Sequence, residues 1–337
     1  MEALRTHGVC VLPLPAQLKL HEKVQPLLAG VRELLNLPRA IADIYAPLSP
    51  EHPAAIVLGG YGATGLPSLT HSPEARALRQ SVYDALFPHF AALFPGRNLE
   101  LLADRFSARQ WGTATGAESW HRDIGYTAPG DLVLGGWVNL DPPGAPPQKF
   151  SCIPGNVLPA HVNPQGFAKF PKTAYPALEA AFKEGTGPMD VPPGHIILFN
   201  QTIAHKITGA TAKRTSFRQY FGWRLTDGLT PAYDKQPSLT AQSMPPLPSG
   251  EPACMYAKLH WVNWQDRLRA FSANFIPACR ETSGPRAGCV YRELPGLVAL
   301  GCAYPEYTPA ETALFYPTPL VPRHAEDKPP AKRVRVE

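Results

Sequence analysis

The chain has 337 residues, of which 44% are hydrophobic, and a formal net charge of +5. This length supports a globular core, whereas the charge is too small to indicate a nucleic-acid-binding protein on electrostatic grounds. The six cysteines show no paired spacing, which argues against a zinc site or a disulfide framework and favours a reducing compartment inside the cell. No apolar run reaches the length of a membrane span, and no signal peptide is evident, so we expect no membrane partner.

The N-terminal part of the chain is predicted to contain a strand at residues 8–14 and an amphipathic helix at residues 17–35. The glycine-rich segment 59–62 is predicted to be a loop, and the absence of a following Gly-Lys-Ser/Thr excludes a phosphate-binding loop. Apolar residues at helical spacing predict a second helix at residues 73–93, and a strand is expected at residues 99–110. The 40 prolines and 27 glycines indicate many short strands and turns in the rest of the chain.

The segment Trp120-His121-Arg122-Asp123 carries the strongest chemical signal. Side chains alternate between the faces of a strand, so His121 and Asp123 are predicted to point the same way. A later turn, a short apolar strand and a loop lead to His205. Two imidazoles and one carboxylate on one side of a metal form the facial triad of non-haem Fe(II) oxygenases. The sequence therefore predicts an Fe(II) site whose open side binds a co-substrate and O2.

Residues 214–225 predict another strand, on which Arg214, Ser216 and Arg218 share a face. A guanidinium group holds a carboxylate with two hydrogen bonds, which suits Arg214 to an anionic co-substrate. Arg218 is the alternative anchor, or else a substrate contact. Trp137 and Asn139 share a face of the strand that begins near residue 131, and both are predicted to line the pocket, Trp137 as a cofactor-binding residue and Asn139 as a substrate contact.

These segments resemble the Fe(II)/2-oxoglutarate oxygenases of the phytanoyl-CoA dioxygenase type over residues 8–225. The family's WHxD motif, tryptophan-bearing strand, proline-glycine turn and "PGD, apolar strand, His" segment match residues 120–123, 131–137, 153–155 and 193–205 in order. The resemblance implies that 2-oxoglutarate chelates the iron and is anchored by Arg214 and Ser216. It also implies hydroxylation of a substrate with release of succinate and CO2. His195 replaces the usual acid and residues 142–148 are unusually proline-rich, so the substrate is left unassigned.

The predicted fold class is mainly β with flanking helices (α+β), with a double-stranded β-helix, or jelly-roll, core. A helix at residues 174–183 is expected to cover the strands. The predicted organisation is an oxygenase domain at residues 1–225, a proline-rich linker or wrapping segment at 226–252, an extension packed on the core at 253–320 and a disordered basic tail at 321–337.

Two C-terminal features point to partners. Residues 255–271 are predicted to form a helix with interleaved aromatic and basic residues, which could stack on nucleic-acid bases but more often indicates core packing. Lys332, Arg333 and Arg335 follow two prolines and are similar to a monopartite nuclear import signal. They predict an import receptor as partner and nuclear localisation. The alternative is a solvated tail on a cytoplasmic protein.

Two other functions are left open by the sequence. The jelly roll could be catalytically silent and serve as a binding or structural protein, because a fold does not fix a function. It could also be a cupin-like metalloenzyme that does not use 2-oxoglutarate. The complete triad argues against the first alternative, and Arg214 argues against the second.

Overall fold

The computed structural model describes residues 1–34, 44–46, 72–110, 120–123, 130–157, 168–185, 187–206, 213–229 and 308–321. The helices in these ranges are α1 (Glu2–His7), α2 (Leu20–Leu34), α3 (Pro73–Leu93), α4 (Tyr175–Glu184) and α5 (Pro309–Ala313). The strands are β1 (Val9–Pro13), β2 (Asn98–Gln110), β3 (His121–Arg122), β4 (Leu132–Asn139), β5 (Gln148–Val157), β6 (Ala168–Lys169), β7 (Met189–Val191), β8 (His195–Asn200), β9 (Ile203–Lys206), β10 (Thr215–Thr226) and β11 (Thr318–Pro319).

The strands form two antiparallel sheets. The large sheet has the order β1-β8-β4-β10-β2-β11, and the small sheet has the order β6-β3-β9-β5-β7. From β2 to β5, and again from β7 to β10, successive strands alternate between the two sheets. This alternation is that of a double-stranded β-helix, so the predicted mainly β, jelly-roll fold with flanking helices is confirmed.

The two faces of the large sheet pack against different partners. On β10, Phe217, Phe221 and Trp223 join a buried cluster with the apolar sides of α2 and α3. The opposite face meets the small sheet in a second cluster, to which Trp137 contributes from β4 and Phe150 from β5. The period-two alternation of the strands therefore sends one set of side chains towards the helices and the other set into the space between the sheets.

The helix boundaries agree closely with the sequence pattern. Helix α3 has the predicted bounds, and Ser72 caps its first turn by accepting a hydrogen bond from the Ala75 N–H at 3.3 Å. Helix α2 begins later than predicted, at Leu20, because residues 16–18 form a 3-10 turn and Lys19 adopts a left-handed conformation with φ 47°. Among the described helices, none combines the length and apolar character of a membrane span.

The structure differs from the sequence prediction at residues 153–155. This segment was expected to be a proline-glycine turn, but it lies inside β5. Gly155 has φ 77°, and the pairing of β5 with β9 changes register between Cys152 and Val157. The glycine therefore makes an irregularity within a continuing strand, and the chain does not reverse there.

The predicted loop at 59–62, the helix at 255–271 and most of the 226–252 linker lie outside the described residues.

Candidate metal centre

Two neighbouring strands of the small sheet bring the predicted ligands together. His121 on β3 is paired with His205 on β9 in the sheet register. Asp123 follows β3, where its backbone N–H donates to the Gln201 carbonyl at 3.1 Å. The Nε2 atoms of His121 and His205 lie 3.5 and 3.3 Å from Asp123 Oδ1. One donor atom from each of the three residues falls within 4.8 Å of the others, so together they can hold a metal ion.

The orientation of His205 and the negative charge of Asp123 suit a cation. His205 Nδ1 lies 3.0 Å from the Ile203 carbonyl, where Nδ1–H can donate, and the other ring nitrogen, Nε2, faces Asp123 and is the atom available to a metal. Burial raises the pKa of Asp123, but the opposing charge and hydrogen bonds of His205 and His121 are stronger and hold the pKa below its ordinary value. The carboxyl group is therefore ionised at neutral pH.

Tyr220 on β10 is a further member of the site that the sequence reasoning missed. Its hydroxyl donates to Asp123 Oδ2 at 3.1 Å and accepts a hydrogen bond from Gln201 Nε2 at 2.7 Å. Gly135 on β4 leaves room for this hydroxyl, because a Cβ atom there would come within 2.9 Å of it. The available signal was parity, since Tyr220 lies on the same face of β10 as Arg218.

Apolar rings form one wall of the site. The ring centres of Phe150 and Phe199 lie 5.6 and 5.0 Å from that of His205, and all three residues are buried. Trp137 belongs to the same cluster between the sheets, as its predicted inward orientation requires. These rings shield one side of the imidazole from water.

Arg214 and Ser216 lie together around a buried acid, Asp141. The nearest guanidinium nitrogen of Arg214, Nη2, is 4.0 Å from Asp141 Oδ1, and Ser216 hydrogen-bonds the same carboxyl group. Burial raises the pKa of Asp141, although the Phe217 N–H donates to it at 2.9 Å and Arg214 lies nearby. Nη2 is buried and has no hydrogen-bond partner among the described residues. The predicted carboxylate anchor thus has an unused donor.

Arg218 and Asn139 occupy different environments. The Arg218 guanidinium stacks 4.1 Å from the centre of the Trp137 ring, on the side facing the small sheet. Asn139 is fully buried; its amide donates to the Val191 carbonyl at 2.8 Å and accepts hydrogen bonds from the Asp141 N–H and Gln148 at 2.9 Å each. Asn139 therefore faces inward as predicted, but its polar atoms bind protein groups. Substrate contact by Asn139 or Arg218 stays a prediction.

Lys332, Arg333 and Arg335 lie outside the described residues, so the structure does not bear on the import signal.

Solved structures with a similar fold were found, whereas matches by sequence were not. No family model matches the sequence, and no curated protein matches it. Solved structures with similarity include ThoJ, a non-heme monooxygenase in its apo form (16% identity, 67% of this chain and 79% of that chain, TM-score 0.39). A non-heme alpha ketoglutarate dependent carbocyclase, SnoK from nogalamycin biosynthesis, also matches (11% identity, 70% of this chain and 88% of that chain, TM-score 0.42). A third is EvdO2 from Micromonospora carbonacea var. aurantiaca (16% identity, 67% of this chain and 89% of that chain, TM-score 0.36).

Proposed function

We propose that the protein is an Fe(II)- and 2-oxoglutarate-dependent oxygenase, similar to the phytanoyl-CoA dioxygenase type, that hydroxylates an as yet unidentified substrate. His121, Asp123 and His205 would hold the iron. Two imidazoles and one carboxylate are the donor set of this class of Fe(II) site, and they leave coordination positions open. When bound, the iron supplies O2 activation coupled to oxidation of 2-oxoglutarate to succinate and CO2.

The observation that carries this proposal is that Arg214 Nη2 is buried and has no acceptor among the described residues. A buried N–H group without an acceptor costs free energy, and by strand parity Arg214 lies on the same face as Tyr220, whose hydroxyl contacts Asp123, so a ligand in this space could complete it. The Asp141 carboxylate is 4.0 Å away, which is too long for a hydrogen bond. The distal carboxylate of 2-oxoglutarate could accept from Nη2, and the Ser216 hydroxyl would become a second contact by turning its single hydrogen from Asp141 to the ligand.

The other residues would prepare the site. Tyr220 orients Asp123 through its second carboxylate oxygen, so that Oδ1 remains directed at the two imidazoles. Phe150 and Phe199, in a cluster to which Trp137 also belongs, exclude water from one side of His205. A wall of apolar side chains that excludes water strengthens the electrostatic contacts of the site and suppresses side reactions with water.

The test is formation of succinate. Protein loaded anaerobically with Fe(II) and 2-oxoglutarate is exposed to O2, and succinate is quantified with the Asp123→Ala variant as control. We expect succinate from the wild type, slowly because the primary substrate is absent, and none above background from the variant. Equal amounts from both proteins, or none from an iron-loaded wild type, would contradict the proposal. In the latter case the silent or cupin-like alternatives would apply.

A further inference from the structure

The strand that carries His121 is short and has little backbone pairing. Strand β3 contains two residues, and its pairing with β9 consists of the single registered pair His121 and His205. Its other neighbour, β6, also contains two residues. A ladder this short fixes the strand weakly, so contacts outside the backbone pairing contribute to the position of the imidazoles.

One carboxylate on helix α4 contacts the neighbours of both histidines. Glu179 Oε1 accepts a hydrogen bond from Trp120 Nε1 at 2.8 Å and another from Lys206 Nζ at 2.6 Å. Trp120 directly precedes His121, and Lys206 directly follows His205. Adjacent residues of a strand point to opposite faces, so these contacts lie on the outer face of the small sheet, behind the imidazoles.

Packing around this carboxylate is close. The Lys206 ammonium lies 4.8 Å from the ring centre of Trp120 and 4.9 Å from that of Phe182. The two rings also contact each other edge to face at 5.6 Å, and Trp120 is 1% exposed. The Lys206 hydrogen bond holds the pKa of Glu179 below its ordinary value, so the carboxylate is ionised at neutral pH and both hydrogen bonds are charge-assisted.

We propose that Glu179 is a positioning residue of the metal centre, which fixes the relative position of the His121 and His205 imidazoles by holding the residue next to each of them. This inference rests on the proposed metal site. It does not depend on the co-substrate or on the reaction. Groups that orient metal ligands typically contribute about ten- to 100-fold to metal affinity.

The experiment measures Co(II) binding, because the visible spectrum of bound Co(II) reports its coordination geometry. Glu179→Ala and Glu179→Gln are compared with Glu184→Gln, a change at an exposed acid at the end of the same helix. We expect Glu179→Ala to raise the Kd for Co(II) about ten- to 100-fold and to alter the spectrum. Glu179→Gln, which keeps one acceptor but loses the charge, should lie between it and the wild type. Glu184→Gln should match the wild type.

A second variant protects the test against misfolding. Trp120→Phe keeps an aromatic ring but removes the N–H that donates to Glu179. It should weaken Co(II) binding as Glu179→Ala does, and it can be measured even if Glu179→Ala does not fold. Unchanged affinity and spectrum in Glu179→Gln and Trp120→Phe would overturn the role of Glu179 while leaving the metal centre intact. A wild-type protein that binds no Co(II) would overturn both.

Discussion

At the scale of single residues, the site depends most on Asp123. Both imidazoles approach its Oδ1, and the Tyr220 hydroxyl holds its Oδ2. A carboxylate fixed at one oxygen presents the other in a defined direction, so Tyr220 limits how Asp123 can rotate. Gln201 in turn holds Tyr220 by donating to its hydroxyl oxygen.

Replacing Tyr220 with Phe should therefore weaken metal binding without unfolding the protein. We expect the Kd for Fe(II), measured anaerobically by calorimetry, to rise about ten- to 100-fold because Asp123 loses its orienting donor. The matched control is Tyr83→Phe on α3, which packs against Trp223 on the helix side of the large sheet. The role of Tyr220 is wrong if both variants bind Fe(II) as the wild type does.

The two interior arginines should differ in their effect on 2-oxoglutarate. Arg214→Ala should weaken its binding by about 1.5 to 3 kcal/mol, roughly ten- to 150-fold, because a charge-assisted hydrogen bond is lost. Arg218→Ala should do much less, since its guanidinium stacks on Trp137. Both affinities are measured with the metal in place and without O2. A larger loss of 2-oxoglutarate affinity in Arg218→Ala than in Arg214→Ala would make Arg218 the anchor.

Much of the site could be predicted from sequence because strand parity is a local rule. The two-residue spacing of His121 and Asp123 sets a common face whatever the rest of the fold. Glu179, by contrast, lies 59 residues from Trp120, and its contact depends on how α4 covers the small sheet. Asp141 and Gln201 escaped notice for a similar reason, because each looks like an ordinary loop polar residue until its partner strand is placed.

At the scale of elements, helix α3 is joined to the large sheet by a buried polar contact as well as by apolar packing. Arg79 Nε lies 2.9 Å from Asp104 Oδ2 on β2, and both side chains are fully buried. Gln219 on β10 donates to the same oxygen at 2.9 Å. A buried charge without its partner is costly, so this contact requires the helix and both strands to stay in place.

Asp104→Ala should lower the free energy of unfolding by about 3 to 5 kcal/mol, because Arg79 would remain buried without its carboxylate. Urea denaturation measures the change. The double variant Arg79→Met, Asp104→Leu should be less destabilised than Asp104→Ala, since both charges are removed together. Glu2→Ala, which breaks an exposed ion pair with Arg5, is the control and should leave the value unchanged. A loss no greater than in this control would show that the buried pair is unimportant.

The boundaries of elements were predicted well where one signal dominated and poorly where two competed. Helix α3 has an N-cap, a proline in its first turn and a regular apolar stripe, and its bounds matched. At residues 153–155 the proline and glycine suggested a turn, but the surrounding chain pairs with β9 and β7, and the strand continues. Tertiary pairing outweighed the local preference there.

At the scale of the whole molecule, distant parts of the chain complete the large sheet. Strand β11 pairs with β2, and Leu101 N–H donates to the Leu314 carbonyl at 2.8 Å. Leu314, Phe315 and Leu320 are buried in the same cluster as α2 and α3. Residues 308–321 thus cover an edge of the sheet, which limits its pairing with other chains.

For the C-terminal tail, we propose that Lys332, Arg333 and Arg335 are read by a nuclear import receptor. Removing residues 328–337 from a fusion with a large reporter should move it from nucleus to cytoplasm in a eukaryotic cell, while turnover is unchanged. A large reporter is needed because the 36.7 kDa chain is small enough to leak through nuclear pores. Lys332→Ala with Arg333→Ala is the milder variant. Equal nuclear signal with and without the cluster would show that it is not an import signal and would favour the alternative of a solvated tail.

Anaerobic visible spectroscopy shows whether metal and 2-oxoglutarate bind in one site. A 2-oxoglutarate molecule that chelates Fe(II) gives a charge-transfer band that neither component gives alone. We predict this band for the wild type only when both are added, and its loss in His121→Ala and Asp123→Ala. Absence of the band from a wild-type protein that binds both would show that they bind at separate sites, and its persistence in those two variants would show that His121 and Asp123 do not hold the metal.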